Sequence, residues 1–192
     1  MPRAGLSRRA VVEAAAALAD REGLAAVTLA RLAADLGIRT PSLYNHVAGL
    51  DDLRQELAVL ATRALADGIE RAAVGRAGDE ALTALALAYR AFATDHPGLY
   101  EAHLRAPSPE DPALARMATD LVGIVADALV AYGLRGEDGI HAVRVLRAAL
   151  HGFVALEGAG EFRIALDRDE SFRRLVRTLA GGFRRQAETT QP

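Results

Sequence analysis

Apolar residues recur along the chain at steps of three and four, and no stretch of four to eight residues alternates as a strand would. The pattern predicts helix throughout. Ser7 is placed to cap a first helix with Val11, Val12, Ala15, Leu18 and Ala19 on its apolar face, and Gly23 to stop it in a left-handed conformation. A second, short helix follows Thr28, with Leu29, Leu32, Ala33 and Leu36 inward and its end at Gly37. Thr40 is placed to cap a third helix of about two turns, with Pro41 at the first helical position, where a missing amide costs nothing. Asp51 and Asp52 open a longer helix carrying Leu53, Leu57, Leu60 and Ala64, and residues 75–79 read as a linker. Leu82, Leu85, Tyr89 and Phe92 mark a fifth helix. Pro97-Gly98 breaks the chain before a short helix with Leu99, Tyr100, His103 and Leu104, and residues 107–112 read as a loop. Two long helices follow, one with Leu114, Met117, Leu121, Ile124 or Val125 and Ala128, the other with Ile140, Val143, Leu146, Leu150 and Phe153. A last helix carries Phe172, Leu175, Leu179 and Phe183. The chain is therefore read as all-α with nine helices, three small ones ahead of six larger ones.

With 192 residues, 51% of them hydrophobic and 25% charged, the chain falls in the range of a globular protein, which excludes disorder and collagen. The absence of cysteine removes disulfide scaffolds, thiolate metal sites and cysteine nucleophiles. The basic N-terminus is followed by apolar residues cut by Glu13 and Asp20, which is not a signal-peptide core, and no later segment approaches eighteen uncharged apolar residues. A cytoplasmic protein without a membrane partner is expected. The net charge of −2 hides an asymmetry: residues 1–50 hold six Arg and four acids, net +2, whereas residues 51–192 hold seventeen Arg and twenty-one acids, net −4. Only the N-terminal quarter is basic.

That quarter contains the constellation with functional content. Residues 28–47 read as a helix stopped at Gly37, a turn of about three residues and a second short helix, which is a helix-turn-helix pattern. Leu32, Ala33, Ile38, Leu43 and Val47 would pack the two helices together. The opposite face carries Arg39, Thr40, Ser42, Tyr44, Asn45 and His46, rich in hydrogen-bonding groups and free of acids. Such a face suits a major groove, where these side chains reach base edges and phosphates.

Behind a leading helix, Gly23, Thr28, Leu32-Ala33, Gly37-Ile38, Ser42-Leu43-Tyr44, His46-Val47 and Asp52-Leu53 stand at a spacing by which residues 7–60 resemble the TetR family of transcriptional regulators. The resemblance implies a helix-turn-helix DNA-binding domain over residues 1–50 and a helical ligand-binding and dimerisation domain over residues 51–192. It implies a homodimer on a palindromic double-stranded DNA operator, acting as a repressor released by a small hydrophobic effector. Thr28 would touch phosphate, Arg39, Thr40, Pro41 and Ser42 would face bases, and Tyr44 and His46 would hold the backbone. Leu50 departs from the pattern, since many members carry a lysine there. Residues 150–157, Gly160-Glu161-Phe162 and Glu170-Ser171-Phe172 are similar to a subset with a His-Gly in the eighth helix. By that similarity the last two long helices pair with their copies, Gly152, Gly181 and Gly182 let helices approach, and the ligand lies among the middle helices.

Tyr89, Phe92, Tyr100, His103, Leu104, Met117, Arg147 and His151 mix aromatic and polar groups into aliphatic stripes and are the candidate pocket residues. The plainer reading makes them core, with Arg147 and His151 in pocket, interface or structural roles. The arm Arg3, Arg8, Arg9 is either a solvated tail or a DNA contact. No metal or cofactor is expected: neither His96, Glu101 and His103 nor His141 and His151 have the i, i+4 spacing of paired ligands on a helix. No catalytic motif is present, and Ser7, Ser42, Ser108 and Ser171 lie in cap or loop contexts, so an enzyme is not expected. The alternative is a helical adaptor or ligand-binding protein that no longer binds DNA, which would have no reason to keep the polar face of residues 39–46.

Overall fold

In a computed structural model of the protein, residues 6–105 and 111–190 are described, and among them are nine α-helices and no strand. They are α1 (Arg8–Glu22), α2 (Leu29–Asp35), α3 (Thr40–Leu43), α4 (Leu50–Ala73), α5 (Gly78–Asp95), α6 (Pro97–His103), α7 (Pro112–Leu129), α8 (Gly136–Gly158) and α9 (Arg168–Thr190). Short 3-10 turns occupy Leu24–Ala26 and Val130–Tyr132. Arg3 and most of the expected loop over residues 107–112 lie outside the described residues.

The caps follow from local chemistry. Ser7 Oγ accepts from the Ala10 amide at 3.2 Å, and Thr28 Oγ1 accepts from the Arg31 amide at 3.1 Å, each satisfying a helix-start donor that has no partner within its own helix. Thr40 does not cap α3. The helix begins one residue earlier than expected, with Arg39 as the cap residue and no side-chain cap bond. Pro41 stands second, where its amide would still lack a helical partner. Gly23 has the expected positive φ of 89°, but its ψ of 154° lies outside the left-handed helical well, so the chain leaves α1 extended and enters the 3-10 turn.

The described chain falls into two compact units. Among the described residues, one comprises residues 6–64, 95–105 and 111–117 and the other residues 65–94 and 118–190. In the first unit α6 is fixed to α1. Asp20 accepts from the Leu99 amide at 2.9 Å and lies 2.8 Å from His96 Nδ1, so one carboxylate of α1 serves the start of α6. Gly98 presses on the α1 backbone: a Cβ there would fall on the Ala19 carbonyl and within 2.6 Å of the Asp20 amide nitrogen. Pro97-Gly98, read from sequence as a break, is thus also a close-packing device. His103 Nδ1 lies 3.0 Å from Thr62 Oγ1, both buried, joining α6 to α4.

In the second unit Arg90 joins α5 to α8 and α9. Its guanidinium donates to both carboxylate oxygens of Glu157 at 2.6 and 2.8 Å and lies 2.9 Å from Asp169. It also sits 5.5 Å from the Phe153 ring centre and 4.9 Å from that of Phe172. Tyr132 donates to Asp79 at 2.8 Å, and Arg184 pairs with the same carboxylate, joining the start of α5 to α9. The expected inward stripes shift in detail. On α8 the buried positions are Gly139, Ala142, Val143, Leu146, Leu150 and Val154, while Ile140 is exposed, because a helical turn of 3.6 residues carries a fixed stripe around the axis over six turns. On α7 only Leu114 and Leu129 at its ends are buried, and Met117, Leu121, Ile124, Val125 and Ala128 are half-covered. By length and composition α8 alone among the described residues could cross a membrane, yet it buries a stripe within its unit and carries charged Arg144, Arg147 and Glu157.

The packing at Gly98 gives a test. Gly98→Ala should destabilise the protein by about 1 to 3 kcal/mol, the usual cost of overpacking against backbone that cannot yield. A urea midpoint equal to that of the unsubstituted protein would show that α6 and α1 are not held this closely.

Candidate nucleic-acid interface

The helix-turn-helix is built from burial on one side. Leu32, Ala33, Leu43 and Val47 are all at most 2% exposed, and Ile38 is half-buried. The turn closes with the Ile38 amide donating to the Ala33 carbonyl at 3.0 Å while Gly37, at φ 65°, takes the left-handed conformation. With Leu43 and Val47 anchored inward, the predicted polar residues fall outward. Thr28, Arg39, Pro41, Tyr44 and Asn45 are exposed, Tyr44 at 57%, and Thr40, Ser42 and His46 are half-buried. Arg39, Tyr44 and Asn45 are thus the most open of the six polar positions along the one-turn helix and its following turn.

Charge distinguishes Arg39 from its neighbours. Arg21 and Arg31 form a closed ring with Glu22 and Asp35 at 2.8 to 3.1 Å, tying the end of α1 to α2 and cancelling their charge. The Arg39 guanidinium has no hydrogen bond or ion pair among the described residues. It is a solvated, uncommitted cation on the face that carries no acid.

Of the expected basic arm, Arg3 lies outside the described residues, Arg9 pairs with Glu13 at 2.6 Å in solvent, and Arg8 is a structural residue. Its guanidinium donates to the His46 carbonyl at 2.8 Å, to both Asp52 oxygens at 2.7 and 3.1 Å and to Glu56 Oε1 at 2.7 Å. Asp52 Oδ2 in turn accepts from the Ala48 amide at 2.8 Å. The hydrogen bonds from Arg8 hold the Asp52 carboxyl below its ordinary value, and burial opposes them only in part. Leu50 opens α4 as a half-buried apolar residue, so the position offers no charge to a phosphate.

The candidate pocket residues divide between the units. Tyr100, His103, Leu104 and Met117 lie in the first, and Tyr89, Phe92, Arg147 and His151 in the second. Tyr89, Tyr100 and His103 are buried, and Phe92, Met117 and His151 are half-buried. Leu104, 39% exposed, and Arg147, also exposed, do not face the interior of their own units. Sequence reasoning missed Asp20, Thr62, Asp79, Arg90 and Asp52 as partners of distant residues. Of these only Asp52 and Asp79 carried a local signal, an acid in the first turn of a helix.

α2, the turn at Gly37 and the short α3, with Leu43 buried beside Leu32 and Ala33 and no acid among residues 39–46, form a helix-turn-helix of the kind used on DNA. Residues 82–179 match the family described as tetracyclin repressor-like, C-terminal domain. The chain is 39% identical over 184 residues to the HTH-type transcriptional regulator Rv0681 of Mycobacterium tuberculosis, covering 95% of this chain and 84% of that one. It is 40% identical over 183 residues to the HTH-type transcriptional regulator YobS of Bacillus subtilis, covering 95% of each. Over 52 residues, 27% of this chain and 19% of that one, it is 46% identical to the HTH-type transcriptional repressor DrrR1 of Streptomyces coeruleorubidus. The solved structure of a TetR variant from Acinetobacter baumannii in complex with minocycline shares the fold, with a TM-score of 0.72 at 22% identity over 95% of this chain and 99% of that one. The chain belongs to the TetR family of transcriptional regulators.

The lowered Asp52 carboxyl sets a pH dependence. A group depressed in the folded state stabilises fully above its unfolded value, about 3.9, and this contribution is lost as pH falls through the folded value. Unfolding followed in urea from pH 7 to pH 3 should therefore show an acid limb that Asp52→Asn makes shallower, with lower stability at pH 7. An acid limb of unchanged steepness in the variant would show that the pair with Arg8 adds nothing.

Proposed function

We propose that the protein is a homodimeric, ligand-responsive repressor that places α3 of each protomer in successive major grooves of a palindromic operator. The observation that carries this reading is the outward face of Arg39, Thr40, Pro41, Ser42, Tyr44, Asn45 and His46, anchored by buried Leu43 and Val47 and holding one uncommitted cation. Thr28, exposed at the start of α2, is a phosphate contact in this reading, as are Tyr44 and His46, whereas Arg39, Thr40, Pro41 and Ser42 read bases. The repressor role rests on the likeness of a 52-residue segment to a repressor. The site is one of binding and not of catalysis, and the protein works in the cytoplasm without metal or cofactor.

Homodimerisation through α8 and α9 is supported by what those helices leave uncovered. Val145 and Leu156 are 50% and 48% exposed on α8, with Ala148 and Ala155 also exposed. A Cβ at Gly152 or Gly182 would meet open space, and one at Gly181 only the end of Arg185, so none of the three serves close packing within the chain. Their smallness is then available to a second copy. The effector seat is drawn from Tyr89, Phe92 and His151 with the half-covered Leu121, Ile124 and Val125 of α7, a mostly apolar set with a few polar groups. The effector is a small hydrophobic molecule that binds the DNA-released conformation better, since equal affinity for both would shift nothing.

Sedimentation at micromolar concentration should give about twice 20.3 kDa. Binding-site selection should yield a palindrome with half-site centres about 34 to 36 Å apart or somewhat more. Operator affinity should fall steeply with salt, with a log-log slope of about −0.9 for each phosphate neutralised. Arg39→Ala should cost about 1 to 3 kcal/mol at one base position, and Tyr44→Phe should weaken all sequences alike. Equal affinity for selected and random duplexes at physiological salt would refute the DNA reading and favour the adaptor.

A further inference from the structure

The segment that presents Tyr44, Asn45 and His46 is held by little of its own. α3 has only four residues, and around its end the Tyr44 amide donates to Pro41 O at 3.3 Å, His46 to Leu43 O at 2.8 Å and Val47 to Leu43 O at 3.0 Å, so a single carbonyl takes both bonds that close the turn. Past His46 the chain reaches α4 through Val47, Ala48 and Gly49. Two residues from other helices hold this stretch at both ends. Arg8, in the first turn of α1, donates to the His46 carbonyl, and Asp52, in the first turn of α4, accepts from the Ala48 amide. The two are joined by a two-bond guanidinium–carboxylate pair, and Glu56 accepts from both Nε and Nη2 of Arg8 at 3.2 and 2.7 Å. Such a planar fork fixes direction as well as distance, which an ammonium cannot do.

We propose that Arg8 and Asp52 are positioning residues for DNA recognition, setting the angle at which the Tyr44–His46 segment meets the groove without touching DNA themselves. This rests on the DNA-binding reading above. Every donor direction that the Arg8 fork uses is turned to protein acceptors, so the residue is committed inward, in contrast to Arg39. The consequence is a prediction of unusual sign. Asp52 is an acid beside a DNA-binding face, and charge alone predicts that removing it tightens binding. The clamp predicts the reverse for the operator, because a misaligned segment loses base contacts while general attraction to phosphate remains.

The test uses the full-length protein with a selected operator and a scrambled duplex. Asp52→Asn and Arg8→Gln should each weaken operator binding about tenfold or more and leave scrambled-duplex binding within about twofold, and the double variant should be no worse than the weaker single one. The salt slope of Arg8→Gln on the operator should stay that of the unsubstituted protein, whereas loss of a phosphate contact would reduce it by about 0.9. In the free protein, amide exchange of residues 44–48 should speed up in both variants while that of α5 stays the same. A reduced slope makes Arg8 a phosphate contact and overturns the proposal. So does tighter operator binding by Asp52→Asn, or unchanged exchange at residues 44–48. Arg8→Lys guards against misfolding as an explanation: it keeps the charge but not the fork, and full operator affinity in that variant would also overturn the proposal. If the unsubstituted protein shows no operator preference, the DNA reading itself fails, while the exchange experiment still reports separately on the clamp.

Discussion

A one-turn helix cannot hold its shape in water, because nucleating a helix fixes several residues for a single hydrogen bond. The candidate DNA-reading surface is built on such a helix, and the first unit makes its shape possible. Leu43 and Val47 are fully buried beneath it, and the Arg8–Asp52 pair holds the turn that follows. Tyr44 and Asn45, just past α3, are exposed while Leu43 and Val47 on either side of them are buried. The face is therefore a property of α1, α2 and α4 as much as of α3.

Arginine does two kinds of work in this chain, which has no lysine. Arg8 and Arg90 use the guanidinium as a planar connector between helices distant in sequence, with several acceptors each and, for Arg90, two aromatic faces. Arg21 and Arg31 close a ring with two acids, and Arg173, Arg174 and Arg177 converge on Glu170, whose carboxyl they hold down to about 2. Arg39 is left without partners among the described residues. A basic count for residues 1–50 could not tell these apart, because the number of arginines says nothing about how many are already neutralised.

The helices and most of their boundaries were legible because they depend on local chemistry. Ser7 and Thr28 cap where their hydroxyls meet the third amide along, and Gly37 turns because it has no Cβ, whereas Pro97 and Pro112, read as a break and as the end of a loop, are the first residues of α6 and α7. The displacements lay at element ends and registers: α3, expected to run about two turns, has four residues. Thr40 entered α3 instead of capping it, and Ile140 left the inward stripe of α8, both cases in which neighbouring registers differ little in local energy.

By itself the sequence determined an all-α chain, a helix-turn-helix near the N-terminus and a polar outer face on its second helix, since period, caps and turn residues act within a few positions of each other. Only the tertiary structure decided which charged groups are spent and which are available. Asp20 serves His96 and Leu99 across more than seventy residues, Thr62 meets His103, and Arg90 meets Glu157. It also turned Arg147 and Leu104 to the surface and left the apolar face of α7 half-covered. A hydrogen bond depends on three-dimensional proximity and direction, and neither is encoded in the spacing of residues that lie on different helices.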